Sequence, residues 1–281
     1  MFYRRIMLAL FVFQILCYAE IYAGKTIRVL AIGNSFSVDA AEVYLDDLAE
    51  AANIKLIVGN CNIGGCSLER HWHNALGDSA LYAYHKIVNG DSTLLMNRTL
   101  KQCLQDEAWD YITFQQVSHL AGLYDTYFPY ITDLGSYVRQ FATNRKVKFA
   151  LHQVWAYANN STHPGFNNYN RDQSLMYHAI STTVQKAAET TGIDIIIPSG
   201  SAIQNGRNTI IGDYFCRDGF HLSTGLGRYT AACVWFEVFT GKSVLRNRFK
   251  PVGVSERDAV LARKSAHYAI KEPLKVTIIH P

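Results

Sequence analysis

The sequence predicts an α/β fold, a three-layer α/β/α sandwich around a five-stranded parallel sheet. Short apolar runs alternate with amphipathic helical stretches, which is the pattern of a parallel sheet with helices on both faces. The 281 residues are 49% hydrophobic and 18% charged, so the chain has enough apolar side chains to bury a large core. No internal repeat or linker divides the sequence, and we therefore expect one domain.

The predicted strands are short apolar runs rich in β-branched and aromatic residues, at residues 27–32, 54–58, 111–114, 147–152 and 193–197. The predicted helices cover residues 40–52, 97–105, 126–144, 168–191, 225–240 and 255–270. In such a sheet, ligands bind beyond the carboxyl ends of the strands. The residues that follow the first four strands there are Ser35, Gly64–Gly65, Gln115–Gln116 and Trp155. We therefore expect the functional site at this edge.

Residues 1–23 have the pattern of a signal peptide. Two arginines precede an apolar segment at residues 6–17, and small residues follow up to Ala23, the expected cleavage point. The segment is shorter than the roughly 20 residues of a membrane span, so no integral span is predicted. The residues before Cys17 match a lipoprotein site poorly, which favours an ordinary signal peptide over a lipid anchor. Residues 24–281 are therefore expected to be a periplasmic or extracellular domain.

The charge and the cysteines exclude two classes of protein. The formal net charge of +4 is spread along the chain without a basic stripe, so nucleic acid is not the expected partner. Cleavage would leave an odd number of cysteines, which excludes a scaffold in which disulfides pair every cysteine. Cys61 and Cys66 are the closest-spaced candidates for a bridge, and two buried thiols are the alternative. The oligomeric state is not predicted.

The first candidate functional residue is Ser35. An apolar strand ends at Gly33, which permits a tight turn, and Ser35 follows beside the amides that open the next helix. Nucleophilic serines are displayed in this way, although the run lacks the second glycine of Gly-x-Ser-x-Gly, which disfavours an α/β-hydrolase elbow. In the alternative interpretation, Ser37 or Asp39 caps the helix and Ser35 merely lines the turn.

Asp218 and His221 are the expected partners of Ser35. An acid and an imidazole three residues apart on one short turn have side chains on the same side, as a charge-relay triad requires. Alternatively, Asp218 is a turn residue and His221 a partly buried ring. Taken together, the three residues predict a serine esterase.

These residues resemble conserved blocks of the SGNH (GDSL-type) hydrolase superfamily. Residues 33–37, Gly-Asn-Ser-Phe-Ser, are similar to its first block, and residues 218–223, Asp-Gly-Phe-His-Leu-Ser, are similar to its last. The resemblance implies a flavodoxin-like fold without a metal or cofactor. It also implies that Ser35 is the nucleophile, His221 the base and Asp218 the residue that orients the base.

The resemblance further implies an oxyanion hole. Its donors would be the backbone N–H of Ser35, the backbone N–H of Gly65 and the side-chain amide of Gln116. The glutamine is expected because the Gly-x-Asn-Asp block of the superfamily is missing here, and related carbohydrate acetylesterases have a glutamine at this point. The alternatives for the second and third donors are Gly64, Gln115 and His119.

The expected substrate is an ester on a carbohydrate, most of all an O-acetyl group. Export and an aromatic face next to amides suit a sugar, and the candidate substrate-binding residues are Trp72, Trp155 and Tyr157. Methyl esters of acidic sugars, lipid esters and small esters stay open. The alternatives from other classes are a non-catalytic glycan-binding protein and a redox or flavin protein. The flavin protein is disfavoured because this sequence has no phosphate-binding loop after its first predicted strand.

Overall fold

The computed structural model describes residues 26–280, so the predicted signal peptide and Cys17 lie outside the described residues. One mixed sheet contains seven strands in the order β4-β3-β2-β1-β5-β6-β7. They are β1 (Ile27–Gly33), β2 (Leu56–Asn62), β3 (Tyr82–Val88), β4 (Asp91–Arg98), β5 (Tyr111–Phe114), β6 (Lys148–His152) and β7 (Ile195–Ile197). The five predicted strands correspond to β1, β2, β5, β6 and β7, which pair in parallel. The prediction of a five-stranded parallel sheet was therefore wrong in strand number and in being entirely parallel.

The two additional strands, β3 and β4, form an antiparallel hairpin beside β2. Asn89 and Gly90 connect them, with φ of 52° and 82°, and Val88 pairs with Asp91. Two successive residues with positive φ are characteristic of a two-residue type I′ hairpin turn, and Asn-Gly is its preferred sequence. The edge strand β4 is mostly exposed, so it lacks the buried face that would have produced a hydrophobic pattern.

Two groups of helices flank the sheet. The nine α-helices of the described residues are α1 (Ser35–Ala41), α2 (Leu45–Glu50), α3 (Leu68–Leu76), α4 (Leu100–Gln105), α5 (Tyr130–Phe141), α6 (Gln173–Thr191), α7 (Ser199–Arg207), α8 (Leu226–Thr240) and α9 (Glu256–Lys271). Helix α8 is buried along most of its length and contacts α1, α2, α7 and α9, whereas α3, α4 and α5 contact one another. No helix of the described residues is both long and apolar enough to cross a membrane.

Strand β1 sets the position of the site because it lies in the middle of the sheet, between β2 and β5. Its residues Val29–Gly33 are fully buried, as the two-sided covering of a parallel strand requires. The chain leaves β1 directly into α1, at the edge where β2, β5 and β6 also end.

The described cysteines are free thiols, and the thiol that Cys61 contacts is Cys103, at an Sγ–Sγ distance of 2.9 Å. The closest-spaced candidate for a bridge, Cys61 with Cys66, is not a disulfide in this structure.

Candidate active site

Ser35 is the first residue of α1, directly after the strand that ends at Gly33. Asn34 is the N-cap, and its side-chain oxygen accepts a hydrogen bond from the backbone N–H of Phe36 at 3.0 Å. A Cβ at position 33 would lie 2.5 Å from the Ser37 hydroxyl, so this close approach requires glycine. As the first helical residue, Ser35 has a backbone N–H without an intrahelical acceptor.

The structure brings Ser35, His221 and Asp218 together. His221 Nε2 lies 2.9 Å from Ser35 Oγ, and His221 Nδ1 lies 2.7 Å from Asp218 Oδ2. When the carboxylate accepts the Nδ1–H, Nε2 has a lone pair directed at the serine hydroxyl and can accept its proton. These are the contacts that a nucleophile, a base and an orienting carboxylate need.

The Asp218 carboxylate also organises its own turn. Its other oxygen, Oδ1, accepts hydrogen bonds from the backbone N–H of Phe220 at 3.1 Å and of His221 at 2.7 Å. Partial burial acts to raise the pKa of this carboxyl, but the bonds from the His221 ring and from the two amides outweigh it and hold the pKa below its ordinary value. Asp218 is therefore charged at neutral pH and orients the imidazole.

Asp39, one turn along α1 from Ser35, ties this helix to the segment that carries His221. The buried carboxylate forms ion pairs with Arg217 at 3.1 Å and Arg228 at 2.7 Å, and it accepts the backbone N–H of Leu222 at 2.8 Å. Since Leu222 directly follows His221, Asp39 fixes the distance between the two catalytic candidates. The sequence suggested Asp39 only as a helix cap.

Uncharged buried groups support the other side of Ser35. Gln115 donates from Nε2 to Asn34 Oδ1 at 2.7 Å, and its Oε1 lies 3.0 Å from His152 Nδ1. The second ring nitrogen of His152 lies 2.9 Å from the Ser199 hydroxyl. Burial lowers the pKa of His152 to about 3, so the ring is neutral. This chain of hydrogen bonds fixes the Asn34 side chain that begins α1.

Of the expected oxyanion donors, Ser35 and Gly65 line the pocket, and the alternative donor His119 does so as well. Gly65 lines it with φ of +62° and nothing within 4 Å of the position of a Cβ, and Gly64 lies beside it. The Gln116 carboxamide does not reach the pocket. Its Nε2 donates to the Thr126 carbonyl at 2.8 Å, and its Oε1 accepts the backbone N–H of Leu68 at 3.0 Å. Gln115 is likewise engaged elsewhere, with Asn34 and His152.

The three aromatic candidates for substrate contact do not line the pocket either. Trp155 is fully buried, stacks on Phe36 at 4.3 Å between ring centroids, and donates from Nε1 to the Phe220 carbonyl at 2.7 Å. Tyr157 is also fully buried, with its hydroxyl 2.7 Å from Ser118 Oγ. Trp72 is half-buried on α3 and packs against the core. Trp155 and Tyr157 therefore support the site from beneath.

The pocket at Ser35 has a volume of about 340 Å³. Its wall contains three rings that were not among the expected substrate contacts: His119, His163 and Phe220. Phe220 contacts His221 at 4.1 Å and His163 at 4.8 Å between ring centroids. The sequence contained a sign that Phe220 would line the pocket. It lies between Asp218 and His221, and the middle residues of a short turn are usually exposed.

Comparisons with known proteins agree with this fold. The chain is similar to the crystal structure of a DUF4886 family protein from Bacteroides uniformis, with 48% identity and a TM-score of 0.88 over 90% of this chain and 98% of that chain. It is also similar to the structure of a catalytic mutant of an acetylxylan esterase from Geobacillus stearothermophilus, with 15% identity and a TM-score of 0.50 over 81% of this chain and 100% of that chain. The second likeness shows a shared fold. No curated protein sequence matches the chain.

A family model described as a domain of unknown function, DUF4886, matches residues 28–269, which include strands β2 to β7, β1 except for its first residue, Ser35 and the Asp218–His221 turn. This chain therefore belongs to the DUF4886 family.

Proposed function

We propose that this chain is an exported serine esterase that removes ester substituents, above all O-acetyl groups, from a carbohydrate. The observation that carries the proposal is the 2.9 Å contact between Ser35 Oγ and His221 Nε2, with Asp218 Oδ2 at 2.7 Å from Nδ1 of the same ring. The resemblance to SGNH hydrolases and the fold shared with an acetylxylan esterase support the same reaction class.

In the proposed mechanism, His221 Nε2 takes the proton of Ser35 as its oxygen attacks the ester carbonyl. The tetrahedral oxyanion is stabilised by the backbone N–H groups of Ser35 and Gly65, which is a two-donor arrangement like that of serine proteases. The His221 imidazolium then protonates the leaving alcohol, which departs and leaves an acyl group on Ser35. His221 next removes a proton from water, whose oxygen attacks the acyl carbonyl. As this second tetrahedral intermediate collapses, the His221 imidazolium returns the proton to Ser35 Oγ, which breaks the Ser35–acyl bond and releases the acid.

The test is hydrolysis of 4-nitrophenyl acetate by the mature protein, residues 24–281. We expect turnover by the native enzyme and a loss of roughly 10⁴-fold or more in Ser35→Ala. Circular dichroism and the free energy of unfolding of the variant serve as the control for folding. Full activity in the variant would rule out Ser35 as the nucleophile.

A second candidate function is glycan binding without catalysis. The observation that favours it is the orientation of Gln116, which leaves the pocket without the side-chain donor that related carbohydrate esterases use. Absence of turnover on every acetyl and methyl ester, combined with measurable binding of an oligosaccharide by calorimetry, would favour this second function.

The proposal includes export through the signal peptide at residues 1–23. Expression of the full chain, followed by N-terminal sequencing of the secreted or periplasmic product, tests it. We expect the mature protein to begin at Gly24. A product that keeps the first residues and stays in the cytoplasm would contradict export.

A further inference from the structure

Two histidines form part of the pocket wall, and they come from separate segments of the chain. The rings of His119 and His163 stack with centroids 5.9 Å apart and an interplanar angle of 28°. The backbone of His119 is held by two hydrogen bonds to its carbonyl, from Asn168 Nδ2 at 2.9 Å and from the Tyr169 hydroxyl at 3.2 Å. The proposed reaction uses neither ring.

Close packing fixes the arrangement of the pair. A Cβ at Gly165 would overlap the Cβ of His119 and would lie 3.1 Å from His163 Nδ1, so a side chain at this position would push the two rings apart. The backbone N–H of Gly165 donates to His163 Nδ1 at 3.0 Å. A ring that accepts at Nδ1 while neutral has its proton on Nε2, so His163 is left with an Nε2–H donor.

The remaining nitrogens of the pair are available to a ligand. Among residues 26–280, no hydrogen-bond partner is found for either ring nitrogen of His119 or for Nε2 of His163. Burial lowers the pKa of both rings, and for His163 the neighbouring imidazoles of His119 and His221 lower it further. Each ring is therefore neutral at pH 7, and it can pair with a group that both donates and accepts hydrogen bonds, as a hydroxyl does.

The rest of the wall has no charge that would select an acidic ligand. No lysine or arginine of the described residues lines the pocket, and Phe220 adds an apolar face beside His163. A methyl-esterified uronate is itself neutral, but the unesterified uronates of an acidic saccharide are anionic, and such a carboxylate in this pocket would lose its hydration without gaining a cation. The volume of about 340 Å³ is at the lower end of the ~300–1,000 Å³ of small-molecule sites, which suits one sugar ring with a short acyl group.

We propose that His119 and His163 form a subsite for the hydroxyl groups of a neutral sugar, so that the substrate is a short-chain acyl ester of a neutral saccharide and not a methyl ester of an acidic one. The inference rests on the proposed esterase function and decides between two of its substrates. Phe220 provides the flat face on which the sugar ring packs.

The test compares three substrates: acetylated xylo-oligosaccharide, methyl-esterified oligogalacturonide and 4-nitrophenyl acetate. The variants are His119→Ala and His163→Asn, since the Asn oxygen can replace Nδ1 as the acceptor for Gly165 while the rest of the ring is removed. His178→Ala, which changes an exposed histidine on α6 outside the pocket, is the matched control.

We expect the native enzyme to prefer the acetylated neutral oligosaccharide to the methyl ester. In each pocket variant, KM for this substrate should rise about 3- to 10-fold, the effect of one lost hydrogen bond, with kcat nearly unchanged. Hydrolysis of 4-nitrophenyl acetate should be unchanged in His163→Asn, because this substrate has no sugar hydroxyl. An equal loss on both substrates in His119→Ala would instead assign that ring to the oxyanion hole. The control should match the native enzyme on all three substrates.

Three outcomes would overturn the proposed histidine subsite without contradicting the proposed esterase function. They are a preference for the methyl ester, equal losses on the sugar ester and on 4-nitrophenyl acetate, and an unchanged KM in folded variants. A native enzyme that hydrolyses none of the three substrates would instead contradict the proposed function.

Discussion

The segment that carries Ser35 and the segment that carries His221 are held in place by different forces. Around Ser35 the supporting groups are buried and uncharged: Asn34, Gln115 and His152 form a chain of hydrogen bonds beneath α1. Around His221 the supports are charged. Asp218 is largely exposed, and the buried Asp39 binds two arginines and the Leu222 amide.

These two kinds of support suit the two proposed roles. The proposed nucleophile follows a buried central strand, where hydrogen bonds between uncharged groups hold the start of α1. The proposed base must lie at the surface to exchange protons with water and product. Its segment is held by ion pairs to a buried carboxylate in addition to the contact of His221 with Phe220.

Among the groups that support the two segments, the largest expected effect comes from Asp218→Asn, which removes the charge that fixes the tautomer of His221. An amide can donate to Nδ1 and so place the proton on Nε2, where it no longer accepts the Ser35 proton. We expect kcat on 4-nitrophenyl acetate to fall roughly 10⁴-fold, the loss known for this change in a serine protease triad. Because Asp218 is exposed and Asn keeps the oxygen that accepts the Phe220 and His221 amides, the unfolding transition should move little. A large loss of stability would show that the charge holds the turn as well as the ring.

Asp39→Asn tests the charged support itself. The substitution leaves Arg217 and Arg228 without their shared carboxylate, and removing one partner of a buried ion pair costs about 3–5 kcal/mol. Because Arg217 is about one-third exposed and water can solvate it, we expect a loss near the lower end, about 3 kcal/mol, measured by urea denaturation. An unchanged midpoint would show that the ion pairs do not hold the segment.

The uncharged support is tested by Gln115→Ala with Gln116→Ala as its matched control. Both glutamines are buried, and each variant leaves buried partners without a hydrogen bond, which costs about 1–3 kcal/mol of stability. Only Gln115→Ala should also lower kcat of the folded enzyme, since only Gln115 contacts Asn34. The removal of one oxyanion donor typically raises the activation free energy by ~3 kcal/mol. A decrease in kcat of that size in Gln116→Ala would show that Gln116 does belong to the oxyanion hole.

The uncharged interior also makes the stability depend on pH. Unfolded His152 and His71 take up a proton near pH 6.5, whereas burial lowers the pKa of each folded ring to about 3. Between these values the unfolded chain binds more protons, so stability falls as the pH drops, by up to about 1.4 kcal/mol per pH unit for each histidine. Urea denaturation from pH 7 to pH 4 measures the slope.

His152→Asn should reduce this slope by about half, because Asn does not titrate and its amide can still donate to Gln115. A slope that stays unchanged in this variant would mean that other groups, not the buried histidines, set the acid sensitivity.

The parallel part of the fold was predictable because each of its strands is covered on both faces and therefore reads as an apolar run. The β3–β4 hairpin was missed because β4 is an exposed edge with polar residues in most positions. The one local sign of the hairpin is the pair Asn89–Gly90, since Asn-Gly is the preferred sequence of two-residue hairpin turns. Helices α3 and α7 were also missed, and the stretch predicted as one helix at residues 40–52 begins earlier, at Ser35, and is broken into α1 and α2.

The proximity of Ser35, Asp218 and His221 was predictable from two short motifs, whose spacing fits the proposed reaction. The contacts that depend on long-range packing were not predictable. The orientation of Gln116 depends on Thr126 and Leu68, and the burial of Trp155 depends on Phe36, which are contacts across the sequence that a local pattern does not contain.

The contact between Ser35 and His221 spans 186 positions of the chain, and the ion pair between Asp39 and Arg217 spans 178. Residues so far apart meet only after the intervening strands have assembled, which places this pairing late in folding. A chain that is still being synthesised therefore lacks the contact between Ser35 and His221 until residue 221 has been added. Under the proposed function, hydrolytic activity would then be acquired only after both segments have been made and brought together, so that activity would report on completed folding.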